Sequence, residues 1–244
     1  MNPYRYDLHI HSCLSPCADD DMTPANIAGM AVVNGLNLVA LTDHNSAKNC
    51  PAFFKACKAY GVVPVPGMEL TTAEEVHMLC LFRTLEDALA FDAEVETHLL
   101  PVKNRPAIFG NQRIVDEEDN LLGEYETLLI AATDLTVTAT AELVARFRGV
   151  CCPAHIDREA NGIIAVLGAV PEKPFFPTVE LSLTGDEDTY AARADCAGKR
   201  FLFSGDAHHL WDIAEEGHTL LLDDEPYSSQ RVRDALIDLL GTKE

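Results

Sequence analysis

Five short apolar runs in this 244-residue chain each lead into a histidine or a carboxylate, and that repetition constrains the fold more than any other feature. Tyr4 to Ile10 carries His9 and leads to His11. Leu38-Val39-Ala40-Leu41 delivers Thr42-Asp43-His44-Asn45, and Val62 to Pro66 is followed by Gly67-Met68-Glu69-Leu70. Gly149 to Ala154 ends at His155, and Arg200 to Gly205 ends at Asp206 and His208. Short apolar runs of this kind read as buried strands of a largely parallel sheet. On a strand, residues i and i+2 share a face, so His9 and His11 can reach one metal ion together. An HxH pair alone is weak evidence and better fits two hydrogen-bonded polar residues; the recurrence at the other strand ends is what points to a metal site.

Between these runs lie helical segments. One opens at Thr23-Pro24 and closes near Gly35, and another runs from Pro51 to Tyr60 until Gly61 stops it. Val76 to Phe82 is a further strand, with His77 near its start, the one ligand-type residue that does not sit at a strand end. Thr84-Leu85-Glu86-Asp87 caps a helix running towards Leu100. The stretch from Asn104 to Ile130 reads as an insertion. In it, Arg113-Ile114-Val115 and Tyr125 to Ile130 flank Asp119-Asn120-Leu121-Leu122-Gly123 as a hairpin. A helix near Ala139 to Phe147 resumes the alternation, and Val179 to Leu183 is another strand. Thr219 to Leu222 is the last, before a helix with Val232, Ala235, Leu236, Leu239 and Leu240 on one face. Seven or eight strands with crossover helices in this length argue for an α/β barrel, residues 1–244 as one domain with an insertion at about 104–130. Such barrels carry their chemistry at the C-terminal ends of the strands.

Composition excludes some functions. A net charge of −21 opposes binding of long duplex nucleic acid, which relies on lysines and arginines displacing counterions. No run approaches the ~20 apolar residues of a membrane span, so no membrane partner is expected. With no apolar leader at the N-terminus and eight scattered cysteines, a cytoplasmic location with free thiols is expected.

The motifs Leu8-His9-Ile10-His11-Ser12, Thr42-Asp43-His44-Asn45, Gly67-Met68-Glu69-Leu70, Pro153-Ala154-His155 and Ser204-Gly205-Asp206-Ala207-His208 resemble those of the PHP (polymerase and histidinol phosphatase) domain. Their order agrees, from the first strand to the seventh. The resemblance implies metal-dependent phosphoesterase activity on a distorted (β/α)7 barrel with a three-metal cluster. His9, His11, Glu69 and Asp206 would hold one ion, and Glu69 would bridge to a second held by His77 and His155. His44, His208 and one residue of the Ser12–Asp21 loop would hold the third. Many relatives place that last ligand five or six residues after the HxH pair, where this chain has Pro16 and Cys17. Counting back from Thr23-Pro24 lands on Asp19, and Cys17, Asp20 and Asp21 are chemically able as well.

This donor set suits two or three divalent ions of zinc, manganese or iron. A bridging carboxylate brings two ions within ~3.5–4 Å, where they acidify a shared water and neutralise charge on a phosphate ester. Glu69, Asp206 and His208 are the candidate catalytic residues. Arg158, three residues past His155, is either a phosphate clamp or a salt-bridge partner of Asp157 or Glu159. Asp43 either orients an imidazole or caps the next helix. His209 is expected to point away from the cluster, and His98 and His218 to be satisfied polar residues. Cys13 and Cys17 find no zinc-site partners, and Cys151-Cys152 reads as packing. The expected substrate is a small phosphomonoester, a nucleotide or a short oligonucleotide. Two other functions stay open: an amidohydrolase-type C–N hydrolase, which would want a strand-end lysine absent here, and a metal-stabilised binding or regulatory module without catalysis.

Overall fold

β1 (Asn2–Asp7), β2 (Leu38–Leu41) and β3 (Val63–Thr71) lie side by side and parallel in the computed structural model, which describes residues 1–215 and 217–242. Two helices connect them, α1 (Pro24–Val33) and α2 (Cys50–Tyr60). The local signals act as expected: Thr23 accepts from Asn26 N to cap α1, and Gly61, at φ +73°, closes α2. β1 is shorter than the sequence suggests. Asp7 Oδ1 accepts from His9 N at 3.2 Å, which turns the chain out of the ladder before Ile10.

β3 changes partner halfway. Val63 to Pro66 pair in parallel with β2, whereas Gly67 to Thr71 pair antiparallel with β4 (His77–Leu81). The switch needs a glycine, because a Cβ at Gly67 would lie 2.8 Å from both Cys80 O and Thr42 Cγ2. The two strands are joined by a tight loop in which Thr72 N and Val76 O bond at 2.9 Å and Glu75 takes φ +64°. β4 therefore runs against its neighbours, and the sheet is mixed. This reversal explains His77: the start of β4 lies at the same end as the finish of β1, β2 and β3.

The chain continues through α3 (Leu85–Val95), α4 (Pro106–Phe109) and a hairpin of β5 (Arg113–Val115) and β6 (Leu121–Glu124). The second strand of that hairpin is Leu121–Glu124, not Tyr125 to Ile130. Asp116 accepts from the amides of Glu118 and Asn120, so the turn closes earlier than the apolar pattern suggests. Leu128 and Leu129 are buried without joining a strand, and Leu129 N donates to Gln112 Oε1. Then come α5 (Val137–Arg146), β7 (Val150–Pro153), α6 (Ile163–Leu167), β8 (Thr178–Ser182), α7 (Glu187–Ala191), β9 (Arg200–Ser204), β10 (His218–Leu222) and α8 (Ser229–Gly241).

The result is an α/β fold around a curled six-stranded sheet, ordered β10-β1-β2-β3-β4-β7, with β8 and β9 as a separate parallel pair. That pair reaches both sides of the curl. Ile156 N donates to Glu180 O at 2.9 Å on one side, and Ala207 forms a parallel bridge with Ile10 on the other. Along the strands, side chains alternate between an inner and an outer apolar layer. Inside are Tyr4, Leu38, Val63, Val65, Leu79, Leu81, Val150 and Leu202, sealed by Val232, Leu236, Ile237 and Leu240 of α8. Outside, Val39, Leu41, Met68, Leu70, Met78 and Val179 meet Ile27, Phe53 and Phe91. Continuing the inner phase beyond Val63 and Val65 reaches Gly67 and Glu69; beyond Leu81 and Leu79 it reaches His77. Among the described residues, no helix is long and apolar enough to cross a membrane.

Candidate metal centre

Glu69 is the hub of the polar end of this interior. Its Oε1 lies 2.8 Å from His77 Nδ1, 3.1 Å from His155 Nε2 and 3.3 Å from His9 Nε2. Its Oε2 lies 3.1 Å from His44 Nδ1 and 3.3 Å from His11 Nε2. Asp206 Oδ1 stands 3.0 Å from His11 Nε2 and 3.3 Å from His9 Nε2. His208 stacks on His11 with ring centroids 4.4 Å apart. Apart from Asp19 and the exposed Arg158, every expected site residue is thus gathered in one cluster. The donor atoms fall into overlapping groups of ligand size: His9, His11, Glu69 and Asp206; His44, Glu69 and His77; and His11, His44 and His208.

Surrounding hydrogen bonds fix which imidazole nitrogens face inward. His9 Nδ1 is 2.9 Å from Glu180 Oε2, which also accepts from His155 N at 3.0 Å. His11 Nδ1 is 3.0 Å from Ser15 Oγ, and that hydroxyl donates to Asp43 Oδ1 at 2.8 Å. His208 Nδ1 is 2.8 Å from Asp206 O. Acceptors placed this way hold the proton on Nδ1 and leave the Nε2 lone pairs of His9, His11 and His208 directed into the cluster. For His9 and His11 those lone pairs face carboxylate oxygens and each other, their Nε2 atoms 3.2 Å apart. Acceptors facing acceptors need a cation between them. His44 Nδ1 and Glu69 Oε2 are likewise buried without a hydrogen-bond partner. The donor set fits divalent metal ions of the borderline kind that take both imidazole and carboxylate.

The charges agree. Burial opposes ionisation of Glu69, but His77 and His9 outweigh it and hold the carboxyl well below its usual range. Burial likewise works against an ionised Asp206, and His9 and His11 reverse it, keeping that carboxyl ionised. Burial pushes the His208 imidazole down to about 4, with help from His11. His44 is pushed well below its usual value in the same way. Both are neutral at pH 7 and able to donate a lone pair.

The backbone is bent to present these groups. His155 takes φ +28° and Asp206 φ +50°, left-handed conformations that side chains larger than glycine adopt at a cost of order 1–3 kcal/mol each. The extended strand therefore stops at Ser204. Asp206 and His208 still both face the cluster, but through this turn and not through strand alternation.

Arg158 pairs with Asp206 and not with Asp157 or Glu159, and its side chain is 42% exposed. Asp19 is not drawn into the cluster: it is exposed, its Oδ1 accepts from Asp21 N, and its Oδ2 lies 3.6 Å from His209 Nδ1. Asp20 is held by Asn111 and Arg113, and Asp21 and Cys17 are exposed. Asp43 orients an imidazole only indirectly, through Ser15, while also accepting from Ser12 N and Ser12 Oγ. His209 faces away and stacks on Trp211. His98 pairs with Asp134 at 2.6 Å, and His218 stacks on Phe203 at 4.3 Å. Glu180 is the residue that sequence reasoning missed. Its signal was a carboxylate between Val179 and Leu181 in a strand buried on both faces.

Residues 7–168 match the family described as PHP domain. No curated protein matches the chain. Among solved structures, it is similar to the lesion-specific endonuclease PfuEndoQ from Pyrococcus furiosus, with 21% identity and TM-score 0.67 over 100% of this chain and 57% of that one. An endonuclease Q complex, with a 27-mer duplex bearing an abasic lesion at its active site, gives 20% identity and TM-score 0.68 over 100% of this chain and 58% of that one. A candidate metal-dependent phosphoesterase from Bifidobacterium adolescentis gives 16% identity and TM-score 0.57 over 98% of this chain and 96% of that one. The chain thus spans under three fifths of the endonucleases it is similar to.

Proposed function

This chain belongs to the PHP domain family, and we propose that it hydrolyses a small phosphomonoester, a nucleotide or a short oligonucleotide at a site for two or three divalent ions. Its class is that of a metal-dependent hydrolase of phosphate esters. The observation that carries the finer reading is the convergence of five imidazoles on the two oxygens of Glu69. His9, His77 and His155 address Oε1 while His11 and His44 address Oε2, so both oxygens of this carboxylate would be available to ions. Ions bound there supply Lewis-acid polarisation of the phosphate and a water acidified towards neutrality.

The chain's own groups then divide the work. His9, His11, Glu69 and Asp206 would hold the first ion, Glu69 with His77 and His155 the second, and His44 with His208 the third. Glu180 and the Asp43–Ser15 pair keep the imidazoles of His9 and His11 in the tautomer that faces inward. Arg158, next to Asp206 and open to solvent, is placed to take phosphate oxygens with its planar fork. Strand ends on every side of the cluster support reading the curled sheet and the β8–β9 pair as a distorted (β/α)7 barrel, one domain with the 104–130 segment docked on its metal-site loop. Eight cysteines without a disulfide support a cytoplasmic setting. Cleavage of nucleic acid is the second reading, favoured by the duplex-bound endonuclease with the same fold across the whole chain. The −21 charge sets a small substrate ahead of it.

The test is a panel of phosphomonoesters and short diesters, run with elemental analysis of the same protein. More than one transition-metal equivalent, and activity lost to chelator and restored by metal, support the reading. One equivalent or none after reconstitution with manganese, iron and zinc sinks it.

A further inference from the structure

We propose that the cavity between α2 and the start of α8 binds a small carboxylate with an apolar body, away from the metal centre. The cavity measures about 400 Å³, within the range of small-molecule sites. Phe54, Lys58, Val62, Tyr227, Ser229 and Arg233 line it. Phe54 and Lys58 lie on α2, Val62 leads into β3, and Ser229 and Arg233 share one face of α8, a turn apart. Pro64, whose carbonyl Arg233 reaches, stands five residues before Glu69 on β3, a separation of about 16 Å. An occupant would therefore not compete with substrate for the ions.

Arg233 is the reason to expect an anion. It is only 8% exposed, and an arginine this deep is ordinarily paired with a carboxylate. Its partners here are neutral: Nε donates to Arg83 O at 2.8 Å, Nη1 to Pro64 O at 3.3 Å and Nη2 to Gln230 Oε1 at 2.9 Å. The Phe54 ring lies 5.2 Å from the guanidinium carbon. Carboxylates on the same helix are engaged elsewhere. Asp234 accepts from Gln230 Nε2 at 3.0 Å and stands 3.8 Å from Arg83 Nη1, and Asp238 also pairs with Arg83. Among the described residues, no carboxylate pairs with Arg233 or Lys58, although the chain carries a net charge of −21. Burial lowers the pKa of Arg233, and Asp234 and Glu86 offset that only in part. A buried charge held by neutral groups costs several kcal/mol, which an anion in the cavity would offset.

The same groups select the anion. Three hydrogen bonds leave one N–H on each terminal nitrogen of Arg233, the number a carboxylate accepts. One buried cation balances one charge, which favours a carboxylate over a doubly charged phosphate. The walls beside it are apolar: Phe54, the buried Val62, and the ring of Tyr227, which is 64% exposed at the rim. Lys58 is exposed at the same cavity and draws anions towards it.

The experiment titrates metal-loaded protein calorimetrically with benzoate, phenylacetate and cyclohexanecarboxylate. Benzamide and acetate are the controls, one lacking the charge and the other the apolar body. At least one of the acids should bind saturably and raise the melting temperature, and neither control should at the same concentration. Arg233→Met keeps the side chain's bulk without its charge, and should weaken that acid about tenfold or more, the scale of hydrogen bonds to a charged group. Lys58→Glu, a change at an exposed position, sets a like charge at the rim and should weaken it severalfold. Glu69→Gln should bind the acid as the native chain does. No binding by any of the acids, or a control that binds as tightly, overturns the site. So does unchanged affinity in Arg233→Met or, where that variant does not fold, in Lys58→Glu. Loss of binding in Glu69→Gln overturns it as well, because the acid then sits at the ions.

Discussion

The two ends of the curled sheet's interior are made by the same strands on opposite terms. At the base, Val63, Leu81, Val150 and Leu202 are buried against Val232, Leu236, Ile237 and Leu240. Further along the same faces, Glu69, Glu180, His9 and His11 are buried just as deeply. Burying apolar surface stabilises by roughly 25 cal/mol per Å². Burying a charge costs several kcal/mol unless partners offset it. The base therefore holds the fold together, and the mouth exists for chemistry, kept in place by the stability of the base. Substitutions at the two ends should separate activity from stability.

The largest effect is expected at the hub. Glu69→Gln keeps the shape of the side chain but removes the charge that five imidazoles address. Turnover on the best substrate should fall on the order of a thousandfold, with metal content reduced in the same sample. Near-normal turnover would mean that Glu69 bridges nothing and that the mouth is merely polar.

The converse substitution is Leu236→Ala, at a fully buried position of α8. It should lower unfolding free energy by about 2–5 kcal/mol, read from urea midpoints. Metal content and turnover per folded molecule should stay within error. If turnover falls along with stability, the two ends are coupled and the division between them fails.

The sequence makes the mouth more legible than the path of the chain around it. Strand-end histidines and carboxylates stand out because a buried strand rarely finishes in a chargeable group without a reason. Direction of travel leaves no such mark on a residue. His77 looks misplaced until β4 is seen to run backwards. The signal was length: the few residues from Thr72 to Val76 cannot make the crossover, a dozen residues or more, that a parallel strand needs. The hairpin misled for the opposite reason. Leu121 and Leu122 are apolar but exposed, and Leu128 and Leu129 are apolar and buried but outside any strand. Asp19 fits a ligand by position and chemistry, but the fold brings it to His209 instead. Ser15 and Glu180 act through hydrogen bonds to imidazoles, and no spacing announces those.

Glu180 gives a finer test of how the mouth is held. Its Oε2 fixes both the imidazole of His9 and the amide of His155. Glu180→Gln keeps an acceptor but weakens its hold on His9. Metal affinity should drop by ~10–100-fold, measured by titration of metal-free protein, and saturating metal should restore much of the turnover. Unchanged affinity would show that packing alone orients His9.

The smallest effect belongs to the boundary between the two ends, where β1 stops at Asp7. This carboxylate is buried, and accepts from His9 N at 3.2 Å and from Gly205 N and Ala214 N at 3.1 Å each. Burial pushes its pKa up from 3.8 to about 6, against the pull of those three amides. A carboxyl whose native pKa lies above its unfolded value binds its proton more tightly when folded. Its contribution to stability is complete below about pH 4 and is lost as the pH rises through about 6. Each tenfold difference in proton affinity is worth about 1.4 kcal/mol, so the loss is on the order of 1–3 kcal/mol. Asp7→Asn does not titrate. It forfeits part of the hydrogen bonding at every pH, so the slope and not the offset is the readout. Urea unfolding of metal-free native and variant protein between pH 4.5 and 7.5 should show the native chain losing ground steadily to the variant. Parallel curves would mean that the three amides fully offset the burial of the charge. The boundary would then belong electrostatically with the mouth, and only the apolar side chains below Asp7 would count as base.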